Sequence, residues 1–209
     1  DHLTGDGAAN SITAGDGADF IDGAGSFDRE TGSPGADVID AGAGDDVVVY
    51  DTAYANVTGA SFDGGTGTDT LRIGSYQAAD LSDIAAQASN FEIIELQDSD
   101  SSLAVDSASV ESLVGAGGTL TVTGSDGVAN FDSQIWSATE TGEESDGTSY
   151  ALLTDGTTSV RVTGGVSVPG INLPPRYSSV HGNALVFDSS LDQAQGPDAL
   201  AQSDDVTLE

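Results

Sequence analysis

The chain has 209 residues, with four Lys plus Arg against 35 Asp plus Glu and a formal net charge of −31; 37% of the residues are hydrophobic, and Cys and Met are absent. That length suffices for one large or two small domains, though with less apolar surface to bury than usual. The charge excludes nucleic acid and anionic membrane surfaces as partners, and the lack of cysteine excludes disulfides and thiolate metal sites. What remains for so acidic a chain is high salt, partial disorder or folding around cations. The absence of methionine predicts a processed piece of a longer chain. No apolar run approaches the length of a membrane span and no signal peptide is legible, so membrane insertion is not expected and export would need another route.

Residues 5–49 divide into five consecutive nonapeptides: GDGAANSIT, AGDGADFID, GAGSFDRET, GSPGADVID and AGAGDDVVV. Each begins with small residues and has Asn or Asp sixth (Asn10, Asp19, Asp28, Asp37, Asp46). Four of the five carry an aliphatic residue eighth (Ile12, Ile21, Ile39, Val48), with Glu30 the exception. The third block is the poorest, since Ser26 also replaces a turn glycine; either that turn bulges, or Glu30 pairs with Arg29 or a metal. Residues 50–63 interrupt the pattern and are expected to add no repeat. GGTGTDTLR at 64–72 then returns to the frame, with Asp69 sixth and Leu71 eighth.

This pattern resembles the RTX family of Gram-negative bacteria, whose GGxGxDxUx repeats form a calcium-binding β-roll. The resemblance implies six turn residues followed by a three-residue strand in each repeat. It also implies secretion by a type I system that reads an uncleaved C-terminal signal.

The chemistry is legible in the residues themselves. Glycines permit the positive φ of a tight turn and leave carbonyls unshielded. Calcium takes six to eight oxygens, here from turn carbonyls and carboxylates. Asn10, Asp19, Asp28, Asp37, Asp46 and Asp69 are therefore the candidate metal residues, with Gly15, Gly17, Gly35, Gly42 and Gly44 as turn positions. If successive repeats turn on alternate edges, Asp19 falls beside Asp37 on one edge and Asp28 beside Asp46 on the other, with Asn10 beginning the second edge as a neutral ligand. The eighth-position aliphatics then form a thin inward ladder, too small to offset chain entropy without bound ions.

Beyond the repeats, FEIIELQ at 91–97 and TLTVTG at 119–124 read as strands. YALLT at 150–154 and TTSVRV at 157–162 read as a hairpin turning on Asp155-Gly156. Short helices are expected near 79–88 and 106–113, each with a Ser or Asp cap. Trp136 with Phe131 and Ile135 is the expected local core. The GGTGTDTL repeat leading into strands also resembles large RTX surface proteins over about 62–165. Pro174-Pro175 breaks regular structure, and NALVF at 183–187 is a strand candidate able to add to another copy of the chain.

The expected class is all-β: a calcium-binding parallel β-roll over 1–72, a strand-rich domain with one or two short helices over 73–170, and an extended tail, linker or partner-binding strand over 171–209. His2 and His181 have no HExxH context, and no GxSxG, P-loop or cysteine nucleophile is present. Paired acids such as Glu143-Glu144 or Asp45-Asp46 carry little weight among 35. DSDSS at 98–102 lacks the Gly and Glu of an EF-hand loop and reads as an acidic turn. Two functions fit: a noncatalytic calcium-folded module of a secreted surface protein (adhesive, S-layer-like or fibre-forming), or the accessory roll of a type I-secreted enzyme.

Overall fold

The computed structural model describes residues 1–6, 8–23, 35–74, 77–132 and 134–173, together with the backbone of 177–180 and 184–187. The first strands are β1 (His2–Thr4), β2 (Ser11–Asp16), β3 (Phe20–Asp22), β4 (Val38–Ala43), β5 (Val47–Tyr50), β6 (Ser61–Asp63) and β7 (Thr70–Ile73). They alternate between two ladders. Strands β1, β3, β5 and β7 pair parallel in one, and β2, β4 and β6 in the other. The pattern is small residues at the turns and one apolar residue at each inward position. Leu3, Ile21, Val48 and Leu71 therefore stack in register along the first ladder. Ile12, Ile39 and Phe62 stack along the second.

Two expectations are corrected by this register. First, β2 pairs directly with β4 (Ser11 with Val38) and β3 directly with β5 (Phe20 with Val47). Each ladder therefore advances by three nonapeptides at this step rather than two. Asp19 lies beside Asp46, not Asp37, and Asp37 lies beside Asn10. Of the third block, with its Ser26 and Glu30 mismatches, all but Gly23 lies outside the described residues, Asp28 included. Second, residues 50–63 do add a rung. After a 3-10 turn at Thr52–Asn56 capped by Asp51, β6 continues the second ladder, and Phe62 takes the inward place that a repeat gives to its aliphatic residue.

The remaining elements are β8 (Ala78–Asp80), α1 (Leu81–Ala85), β9 (Ala88–Ser89), β10 (Ile93–Leu96), β11 (Ser102–Val105), α2 (Ser107–Val114), β12 (Thr119–Gly124), β13 (Val128–Phe131), β14 (Ser137–Glu143), β15 (Ser149–Thr154), β16 (Ser159–Thr163), β17 (Tyr177–Val180) and β18 (Ala184–Phe187). The first ladder runs past the expected 72/73 boundary, since β7 pairs with β10, β10 with β12 and β12 with β16, all parallel. Strand β9 extends the second ladder. The hairpin on Asp155-Gly156 pairs β15 antiparallel with β16, and β14 closes the edge antiparallel, so the nine-stranded sheet is mixed. Among the described residues the fold is all-β with two short α-helices, capped by Asp80 and Asp106 as their N-terminal acceptors.

One apolar core joins both parts, from Ile21 and Val48 through Leu71, Ile94 and Val122 to Val160. Trp136 is buried edge-on against Phe131, but Ile135 is 56% exposed and takes no part in that core. Strand β18, within NALVF, pairs antiparallel with β17 of the same chain.

Candidate metal centre

The turns between β2 and β3, β4 and β5, and β6 and β7 stack on one edge. Each such turn, together with the strand end leading into it, carries two glycines with positive φ: Gly15 and Gly17, Gly42 and Gly44, Gly65 and Gly67. At Gly42 (φ 103°) and Gly44 (φ 141°) an added Cβ would overlap the carbonyl oxygens of Gly15 and Gly17, so only glycine permits this approach. The stack is hydrogen-bonded through its backbone, with Gly17 N–H donating to Ala43 O (2.7 Å), Gly44 N–H to Thr66 O (2.9 Å) and Thr66 N–H to Gly42 O (2.9 Å).

Each of these turns ends in a buried aspartate: Asp19, Asp46 and Asp69. They form a single column. The backbone N–H of Asp19 donates to Asp46 Oδ1 (2.7 Å), and that of Asp46 donates to Asp69 Oδ1 (2.9 Å). Asp1 belongs to the same column, its amino group donating to Asp19 Oδ1. One carboxylate oxygen of each aspartate thus orders the turn beneath it. The other, Oδ2, is buried without a hydrogen-bond partner in all three. A buried unpaired carboxylate oxygen is costly, and three in succession describe a place that wants cations.

The electrostatics agree. Burial pushes the Asp46 carboxyl up; the donated Asp19 N–H offsets part of this, and the Asp19 and Asp45 carboxylates add to the rise. Burial raises Asp69 to about 6, helped by Asp46, Glu92 and Asp45 and opposed by the Asp46 N–H. A divalent ion beside these groups reverses the sign of that environment. Among the described residues no three acidic or imidazole side chains converge on one point. An ion here would be held by pairs of carboxylates and by backbone carbonyls, a hard-oxygen set suited to calcium.

The opposite edge differs. Asp37 is fully buried, but both its oxygens are engaged: Oδ1 accepts from Asn10 N–H (2.8 Å) and Oδ2 from the Tyr54 hydroxyl. Burial and the bond to Asp37 push the Tyr54 hydroxyl well above the ordinary tyrosine range, so it remains a donor. The Asn10 amide turns to the Ala8 carbonyl (2.6 Å). Gly35 packs against the Ala8 backbone without a positive φ. The next rung carries no acid there, because Ser61 N–H donates to the Asp37 carbonyl and the residue before it is Ala60. The candidates therefore separate. Asp19, Asp46 and Asp69 come together with Gly15, Gly17, Gly42 and Gly44, whereas Asn10, Asp37 and Gly35 stand on a self-satisfied edge.

Sequence reasoning missed Glu92, Tyr54, Gly65 and Gly67. Gly65 and Gly67 lie in a repeat already in frame, so position alone would have found them. Tyr54 sits in the interruption and Glu92 beyond the repeats, where no periodic signal marks them.

The stacked turns and buried aspartates define a glycine–aspartate repeat with a carboxylate column along one edge. A family model described as RTX calcium-binding nonapeptide repeat (4 copies) matches residues 1–30 and 31–52. Over these residues the chain carries repeats similar to the calcium-binding nonapeptides of the RTX family. The match stops short of the repeat at 64–72, although Asp69 continues the column. No curated protein and no solved structure matches the chain.

Proposed function

We propose that this chain is a noncatalytic structural module of a secreted bacterial surface protein, rolled up and stiffened by extracellular calcium. Residues 1–72 act as a parallel β-roll whose ions lie on one edge, between Asp19 and Asp46 and between Asp46 and Asp69. The other edge is held by Tyr54 and Asn10 around Asp37 without a metal.

The observation that carries this reading is the column of three buried carboxylates, each with one oxygen unpartnered. Stacked negative charges repel until cations lie between them, so binding and folding become one transition. RTX repeats are typical of type I-secreted extracellular proteins, and outside the cell calcium is abundant enough to fold such a chain after export. A mechanical role is supported by continuity: the sheet bearing the column runs unbroken into β10, β12 and β16, so ions at the turns brace the strand-rich part as well.

The test is a calcium titration followed by circular dichroism and hydrodynamic sizing. The expected result is a cooperative gain of β signal with a fall in radius. A chain whose β signal and radius are the same in chelator and in calcium would overturn the proposal.

A further inference from the structure

We propose that the column ends in one more cation site, outside the repeats, between Asp69 and Glu92 with the Asn90 carbonyl as a further oxygen. This rests on the calcium reading above and extends it to residues beyond the family match.

Glu92 holds the next place in the column. Its Oε2 accepts from the Asp69 backbone N–H at 2.9 Å, as Asp69 Oδ1 accepts from Asp46 and Asp46 Oδ1 from Asp19. Asp69 is itself fully buried, and its Oδ2 has no partner. The Asn90 carbonyl lies close by. A Cβ placed on Gly64 would overlap that carbonyl oxygen and lie 3.0 Å from Asp69 Oδ2. The two oxygens are thus no more than about 5 Å apart, close enough for both to reach one calcium at about 2.4 Å each. Glycine at 64 avoids a side chain that would overlap the Asn90 carbonyl.

Local sequence explains why the acid here is glutamate. Residues 64–69 join β6 to β7, whereas only Asn90, Phe91 and Glu92 join β9 to β10. Asn90 adopts the left-handed region (φ 59°), and its amide donates to Asp63 Oδ1 at 2.7 Å. Phe91 is fully buried within the core. The turn is shorter, and the extra methylene of glutamate restores the reach to Asp69. An ion in this place would tie the last glycine turn to β10, linking metal binding to the strand-rich part.

The experiment counts calcium ions on the full chain by native mass spectrometry and isothermal titration, for wild type, Glu92→Gln and Asp100→Asn. Glutamine keeps an oxygen to accept the Asp69 N–H while removing the charge, and Asp100 is an exposed acid away from the column. Wild type and Asp100→Asn are expected to bind one more ion than Glu92→Gln. Equal numbers and equal affinities in all three would overturn the Glu92 site while leaving the repeat sites intact. A wild type that binds no calcium would overturn both readings. If Glu92→Gln fails to fold, Glu92→Asp decides: a tenfold or greater weakening of one ion supports the site, and an unchanged isotherm overturns it.

Discussion

Asp69→Asn should stabilise the chain without calcium and destabilise it with calcium. Asp69 is buried, its Oδ2 is unpartnered, and burial raises its pKa from 3.8 to about 6. A raised carboxyl pKa means the folded state holds the proton more tightly than the unfolded chain. The cost is therefore incurred as pH rises from about 4 to about 6 and is present in full above that. At 1.36 kcal/mol per pKa unit, ionised Asp69 costs the folded state about 3 kcal/mol at pH 7. Asparagine removes that charge and keeps the oxygen that accepts the Asp46 N–H (2.9 Å). In chelator at pH 7 the folded-to-unfolded ratio should rise by roughly two orders of magnitude. In calcium at about a thousand times the dissociation constant the sign reverses, because the variant forfeits an ion that contributes about 4.1 kcal/mol, more than the charge removal gains. The assay is circular dichroism and hydrodynamic radius of both chains in chelator and in calcium, at pH 5 and pH 7. Acidification to pH 5 should recover roughly half the cost in wild type and none of it in the variant. A variant that is less folded than wild type in chelator, or as stable as wild type at about a thousand times the calcium dissociation constant, would refute the reasoning.

Gly44→Ala should raise the calcium midpoint steeply or abolish folding, since its Cβ would overlap the Gly17 carbonyl; Gly147→Ala, also at positive φ but in open space, should cost about 1 kcal/mol in a denaturant titration. Tyr54→Phe leaves the buried Asp37 Oδ2 without its donor and should cost about 1–3 kcal/mol at saturating calcium, with no change in the number of ions counted by native mass spectrometry. A changed count would place an ion on the Asp37 edge. Magnesium at the concentration at which calcium folds the chain should leave the β signal low, because magnesium demands a smaller octahedral shell and gives up water reluctantly.

The nonapeptide period carried the essentials of the site. It picked out Asp19, Asp46 and Asp69 as metal candidates, and Ile21, Val48 and Leu71 as an inward ladder, because both sets obey one spacing. Which rungs touch was not legible. A periodic sequence does not say which blocks pair, and β3 pairs directly with β5 rather than with the strand two blocks on. Asp37 matches the repeat as well as Asp46 does, yet its oxygens are taken by Asn10 and by Tyr54, a residue 17 positions away in a segment with no repeat. Strand Ser61–Asp63 escaped notice because Phe62 is its sole inward residue and a lone glycine, Gly59 (φ 95°), precedes it in place of the repeat's paired glycines. Farther on, alternation in TLTVTG and Asp155-Gly156 located strands and a hairpin correctly. The continuity of β7 with β10 arises from long-range parallel pairing, which local patterning does not encode.

The central claim, a calcium column on one edge only, is tested most directly by anomalous diffraction from crystals grown in calcium. The account predicts peaks between Asp19 and Asp46 and between Asp46 and Asp69, and none beside Asp37. Peaks beside Asp37, or none along the Asp19–Asp69 column, would contradict it.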